Sequence, residues 1–263
     1  MNAARRYPRP AIVIALLGVA LAARGGDALV EIGPGRGALT RRLLALPDCT
    51  LDAIEIDRDL AAQLRPQFAG PPRQVLHQGD ALEFDFSALA HERGRRLRVV
   101  GNLPYNISTP LLFHLLQHAA AIAGRTVMLQ REVVARMAAA PGDADYGRLS
   151  VMLAPQAQVQ RLFEVGPGAF QPPPKVWSAV ARVSVRPQPL FAVSPQYAAV
   201  VAAAFAQRRK TLRNALSQIL TREQIEACGI DPGVRPETLA PQAFNTLAQA
   251  GERAALDRAR GGR

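Results

Sequence analysis

The chain has 263 residues, 49% of them hydrophobic, with 32 Lys and Arg against 21 Asp and Glu, a formal charge of +11. That excludes a disordered polar chain and an acidic one, predicts one large or two smaller packed domains, and favours a polyanionic partner through counterion release. Cys49 and Cys228 are the only cysteines, with no C-x-x-C and four scattered histidines, a pattern that predicts a reducing, cytoplasmic setting and no structural metal.

Arg5, Arg6 and Arg9 precede the apolar run Ala11 to Ala23. Two readings stay open: a secretory-type leader, or a buried helix packed on the sheet that starts just after it. The run is too short to span a bilayer, and no membrane partner is expected.

From Ala28 to Leu39 the chain reads ALVEIGPGRGAL, an apolar strand, then Glu31 and glycines at 33, 35 and 37, then a helix expected to open near Arg36. Alternate glycines allow a tight turn and close approach to a ligand. The pattern departs from the nicotinamide fingerprint G-x-G-x-x-G, because a carboxylate in the loop repels pyrophosphate and tolerates a cationic or zwitterionic ligand. A second strand, TLDAIEID from Thr50, ends in Glu55, 18 residues after Gly37, where a carboxylate can accept both ribose hydroxyls of an adenosyl group. A third strand, Gln74 to Gln78, ends in Gly79, Asp80 and Ala81, and Asp80 is placed to accept from an adenine amine. Each acid alone could be only a helix cap. Three acidic strand ends in succession, followed by Asn102 after a fourth strand at Arg96 to Val100, point instead to one crevice at the carboxyl edge of a parallel sheet.

The stretch GNLPYNISTP, Gly101 to Pro110, suits an exocyclic amine. Asn102 offers a side-chain carbonyl, Leu103 a backbone carbonyl, Pro104 fixes the turn without a competing N–H, and Tyr105 supplies a flat ring. Two acceptors converging beside an aromatic face make a pocket for an amino-bearing base such as adenine. The plainer alternative is an Asx-turn leading into a helix.

EIGPGRG, EID, GDA and GNLPYNISTP, in this order, together with YGRLSVM (Tyr146 to Met152), AFQPPPKV (Ala169 to Val176) and QRRKTLRNAL (Gln207 to Leu216), resemble the adenine dimethyltransferases of ribosomal RNA, the bacterial small-subunit branch most closely. The resemblance implies an α/β, Rossmann-like, S-adenosylmethionine-dependent methyltransferase with a small C-terminal α-helical domain. The expected boundary divides residues 1–186, with an atypical segment 1–26, from an RNA-binding domain 187–263. By resemblance Glu31, Gly33, Gly35, Glu55, Ile56, Asp80, Ala81 and Asn102 hold the cofactor. Asn102, Leu103, Pro104 and Tyr105 form the catalytic motif, and Phe170 is a second wall of the base pocket opposite Tyr105. The implied partner is 16S rRNA in the small subunit or its precursor, and the implied product is dimethyladenosine at two adjacent positions near the RNA's 3′ end, made by a monomer. The family's Gly-Gln-x-Phe-Leu pattern is absent around Ala3 to Pro8, so no cofactor contact is implied there. Trp177, the only tryptophan, stands where the family more often carries a smaller residue. The rival readings are an assembly factor that does not methylate, and a resistance-type 23S rRNA methyltransferase.

Further along, Tyr105 to Gln117 reads as a helix, Arg125 to Leu129 as a buried strand, Arg131 to Met137 as a helix, and Pro141 to Gly147 as a polar loop and candidate RNA contact. Ala157 to Val165 and Ser178 to Val185 read as a closing strand pair. Within Tyr197 to Leu220, Phe205, Leu212 and Leu216 share one helical face while Arg208, Arg209, Lys210 and Arg213 crowd elsewhere, as expected of an amphipathic helix facing phosphate.

Overall fold

The structure, a computed structural model, describes residues 17–18, 20–70, 73–104, 107–170, 173–207 and 209–261, with side chains as far as residue 256. Seven strands form one sheet in the order β3-β2-β1-β4-β5-β7-β6. They are β1 (Ala28–Ile32), β2 (Thr50–Glu55), β3 (Gln74–Gln78), β4 (Leu97–Asn102), β5 (Ile122–Gln130), β6 (Ala157–Val165) and β7 (Ser178–Val185). The first five run parallel, and β7 joins β5 antiparallel. Every residue of β1 is buried, as expected of a strand covered on both faces. The chain leaves β1 toward β2 on one side and returns as β4 on the other, so strand order reverses between β1 and β4. The carboxyl ends of those two strands are where open α/β sheets form their ligand crevice.

Helices α1 (Thr40–Leu44), α2 (Arg58–Leu64), α3 (Phe86–Glu92), α4 (Ser108–Gln117) and α5 (Arg131–Ala138) follow strands β1 to β5. Asp57 and Asp85 cap α2 and α3, each accepting two backbone N–H groups of the first turn, so these two acids are structural. Two expected helix starts move. α1 opens at Thr40 rather than near Arg36, since residues 35–39 form turns and Gly37 has φ +74°. α4 opens at Ser108, three residues after Tyr105, because Ile107 N–H closes a turn on the Pro104 carbonyl at 3.2 Å. β5 is longer than its expected core, with nine residues.

The chain divides into two compact units. The first comprises the residues up to Val134 and Val159–Val185; the second comprises Ala135–Gln158 and the residues from Arg186. Leu17 and Leu21 are helical and fully buried in the first unit, in one cluster with Leu29, Leu51, Met128 and Val180. The buried-helix reading therefore holds for Leu17, Gly18, Ala20 and Leu21, each such leucine contributing roughly 1.5–3 kcal/mol; residues 1–16 and 19 lie outside the described part. The second unit has its own core, built on Tyr146, Val151, Tyr197, Leu212, Phe244 and Leu247. Its helices are α6 (Arg148–Leu153), α7 (Tyr197–Ala204), α8 (Leu212–Ala215), α9 (Arg222–Ala227) and α10 (Pro241–Gly261). Tyr146 reaches across 93 residues of sequence to donate its hydroxyl to the Leu239 carbonyl at 2.8 Å.

Candidate active site

The parallel register brings the acidic strand ends together. Glu31 is the fourth residue of β1, Glu55 closes β2, Asp80 follows β3, and Asn102 closes β4. Asn102 is thus the last rung of its strand, paired with Met128, and not the residue after it. Gly101 explains how β1 and β4 sit so close: a Cβ there would lie 2.5 Å from the Ile32 carbonyl oxygen. A glycine inside a strand signals such a close backbone approach.

The glycine loop after β1 turns on φ values of +65° at Gly33, +59° at Gly35 and +74° at Gly37, a region that favours glycine. Gly33 N–H donates to the Ile54 carbonyl at 3.0 Å, and Gly35 N–H donates to Glu55 Oε2 at 3.0 Å. Asp57 N–H donates to the other oxygen, Oε1, at 3.0 Å. Glu55 is therefore a buried acceptor held in one orientation, with remaining lone pairs for hydroxyl donors. Directly after it, Ile56 is 65% exposed, an apolar surface at the crevice edge available to a flat ring.

Glu31 is 2% exposed, and among the described residues neither its Oε2 nor the Oγ1 of neighbouring Thr40 makes a hydrogen bond of good geometry, although the two groups are close enough to interact. Burial pushes the Glu31 pKa up to about 7, and the nearby Glu55 carboxylate adds to the rise; the Thr40 hydroxyl and backbone oppose it. A buried, unbalanced acid beside a second acid is stabilised by a ligand carrying positive charge. Asp80 Oδ1 accepts the Leu82 N–H at 2.8 Å, which fixes that carboxylate while Ala81 packs into the core.

At the base motif, Asn102 and Pro104 are exposed and Leu103 is buried. Leu103 N–H donates to the Met128 carbonyl at 3.1 Å, fixing the Leu103 peptide at the sheet edge. Ser108, 1% exposed, donates its hydroxyl to the Pro104 carbonyl at 3.1 Å, so the turn is locked from below. Tyr105 lies outside the described residues. Phe170 is half-buried and packs on the core cluster containing Val165, Ala169 and Val180.

The basic run does not form the single amphipathic helix expected of it. α7 ends at Ala204 and α8 begins at Leu212, and Arg209 adopts φ +69°, which no helix continues through. Arg209, Lys210 and Arg213 are exposed, on this connection and on α8, and Arg208 lies outside the described residues. The Pro141–Gly147 loop is part of the second unit, and Gly142 N–H donates to the Glu237 carbonyl at 2.8 Å.

The site thus combines a glycine loop and buried acids with an edge of amide and carbonyl acceptors. Comparison with known proteins gives the family. The family model described as ribosomal RNA adenine dimethylase matches residues 14–251. The chain is 54% identical over 231 residues to the ribosomal RNA small subunit methyltransferase A of Pseudomonas aeruginosa, covering 87% of this chain and 85% of that one. It is 52% identical over 246 residues to the protein of the same name from Laribacter hongkongensis, covering 92% of each. The dimethyladenosine transferase of Plasmodium falciparum shares the fold, with a TM-score of 0.79 at 21% identity over 95% of this chain and 98% of that one. The 23S rRNA methyltransferase ErmE superposes with a TM-score of 0.69 at 26% identity, covering 94% of this chain and all of that one. With the family model spanning nearly the whole chain and its relatives more than half identical, the chain belongs to the ribosomal RNA adenine dimethylase family.

Proposed function

We propose that this methyltransferase places two methyl groups on N6 of each of two adjacent adenosines near the 3′ end of 16S rRNA. It acts as a monomer on the small ribosomal subunit or its precursor, in the cytoplasm, and contributes to ribosome biogenesis. S-adenosylmethionine is its cofactor and, when bound, supplies an electrophilic methyl on a sulfonium sulfur. The reading is supported by one observation: Glu31, Glu55, Asp80 and Asn102 lie at or just after the carboxyl ends of the adjacent strands β1, β2, β3 and β4, the edge at which strand order reverses.

Glu31 offers an unbalanced carboxyl to positive charge, Glu55 accepts ribose hydroxyls, Asp80 accepts from the adenine amine, and Ile56 and Ala81 pack on the ring. Gly33 and Gly35 leave room for close approach. Asn102 Oδ1 and the Leu103 carbonyl accept the two hydrogens of the target amine, which turns the nitrogen lone pair out of conjugation and toward the methyl. Tyr105, with Phe170, stacks the extruded base. A neutral adenine amine is a weak nucleophile, so orientation and stabilisation of positive charge growing on nitrogen supply most of the acceleration. A dedicated base is unnecessary, because that nitrogen becomes acidic once methylated. The exposed Arg209, Lys210 and Arg213, with Arg208, make phosphate contacts through the helical C-terminal segment 187–263.

Transfer of labelled methyl to small subunits lacking these modifications, with large subunits and naked RNA in parallel, tests the proposal. Two methyls on each of two adenosines of the small subunit, and none on the large, is the expected result. Incorporation into the large subunit would mark a resistance-type enzyme. No incorporation with binding retained would mark an assembly factor.

A further inference from the structure

Trp177 and Arg131 take no part in the site described above, yet they sit at the same sheet edge. Gln130 of β5 pairs with Ser178 of β7 two rungs beyond Met128, the partner of Asn102. Arg131 and Trp177 are the next residues outward, and Arg131 N–H donates to the Trp177 carbonyl at 2.9 Å. The Arg131 guanidinium lies over the Trp177 ring, 5.8 Å from its centre. Three residues beyond Met128 correspond to about 10 Å along the strand, and the two strand spacings from β4 to β7 to about 10 Å sideways, a span for the extended nucleotide that adjoins one held at Asn102.

The pair has the chemistry of a base-stacking surface. Arg131 is 52% exposed, and its only ion pair among the described residues, with Glu164 at 3.7 Å, is long. Glu164 is shared with the exposed Arg161 at 3.2 Å. Ion pairs this wet contribute little stability, and the Trp177 ring beside them is half-buried. The neighbouring Val176 is 41% exposed and Lys175 is exposed. An indole, a guanidinium plane, an exposed apolar side chain and a lysine therefore line one stretch of the edge. Aromatic rings and guanidinium planes stack on unpaired bases, and a lysine meets phosphate.

We propose that Trp177 and Arg131 form a stacking platform for the nucleobase adjoining the target adenosine, with Lys175 against its phosphate. The platform rests on the rRNA adenine methylation reading and adds a substrate contact to it: the adjoining base is clamped while the target base is turned into the Asn102 pocket.

The single tryptophan makes this directly observable. With 5-hydroxytryptophan incorporated at position 177 of the full chain, its emission can be excited apart from that of ribosomal proteins. Titration with unmethylated small subunits is expected to change that emission in step with binding measured by sedimentation. Trp177→Leu and Arg131→Ala are expected to raise KM for small subunits about 5-fold or more with kcat nearly unchanged, and Trp177→Phe to restore KM. Binding with unchanged emission, together with wild-type KM in Trp177→Leu, overturns the platform while leaving the methylation reading intact. Absence of methyl transfer by the unsubstituted enzyme overturns that reading and the platform with it. A lower melting temperature in Trp177→Leu with KM unmoved shows a packing role and also overturns it.

Discussion

The two ends of the central strands treat buried charge in opposite ways. In the body of β2, Asp52 is fully buried and saturated: Arg93 donates to both its oxygens at 2.8 and 2.6 Å, and His77 bonds to it at 2.8 Å. Ahead of β1, Asp27 is paired with Arg98, whose guanidinium also bonds the Leu21 and Ala22 carbonyls. At the carboxyl edge, Glu31 and Glu55 are buried with no cation paired to them among the described residues. Buried charge in the body of the sheet is neutralised within the fold, and under the proposed function the charge at the carboxyl edge is left for the ligand to balance. Arg125 is an exception: it is 2% exposed and, among the described residues, its side chain bonds only to the Leu115 carbonyl, with Nε and Nη1 lacking partners. Burial and Arg96 pull its pKa down to about 10.

The contrast is sharpened by substitutions whose costs should separate. The largest expected effect is on stability, from Arg93→Ala, which leaves Asp52 buried without its main partner. Urea unfolding should show a loss of about 3 kcal/mol or more, with cofactor affinity little changed. Asn102→Ala should do the reverse. Single-turnover methyl transfer should fall about 100-fold or more, with cofactor binding and unfolding midpoint near those of the parent.

The two acids also predict opposite pH dependences. Burial opposes ionisation of Asp52, but its bonds to His77 and Arg93 prevail and hold its carboxyl below the usual range. Its stabilisation is therefore present at neutral pH and is lost as pH falls through that depressed value. Glu31 is raised from 4.5 to about 7, so the folded state holds a proton that the unfolded chain has released. Its contribution is complete below about pH 4.5 and falls away as pH rises toward about 7. Glu31→Gln should accordingly stabilise the cofactor-free protein by roughly 1–3 kcal/mol near pH 8 and flatten this slope in thermal unfolding.

The smallest effect concerns the basic connection. Lys210→Ala and Arg213→Ala should leave stability within about 0.5 kcal/mol, yet each should lower the salt dependence of small-subunit binding by about one unit of slope in a log–log plot.

The sheet and its edge were legible because parallel strands read as apolar runs that end in the residues they present. β1, β2 and β3 lie where the runs ALVEI, TLDAIE and QVLHQ put them. Less visible was what depends on distant contacts. The break between α7 and α8 follows from backbone bonds of Leu212 and Arg213 to the Val234 and Pro232 carbonyls, which an apolar helical period cannot reveal. The packing of Ala135–Gln158 with the C-terminal helices rests on bonds such as those of Tyr146 to Leu239 and Tyr197 to Val151. Glu31, expected in the glycine loop, is instead a buried residue of β1, and that it has no cation among the described residues could not be read from the sequence, because it is a property of the packed edge. The Gly101 contact with Ile32 was signalled by a glycine within a strand, and the Arg131–Trp177 pair only by an unusual tryptophan.

Calorimetric titration of S-adenosylmethionine into the parent chain, Glu31→Gln and Glu55→Gln tests most directly whether the unbalanced edge exists for its ligand. Parent affinity should rise between about pH 6 and pH 8 as Glu31 ionises. Both variants should bind about 10-fold more weakly near pH 8, and Glu31→Gln should lose the pH dependence while remaining folded. Parent-like affinity in both variants, with no pH dependence in the parent, would contradict the account.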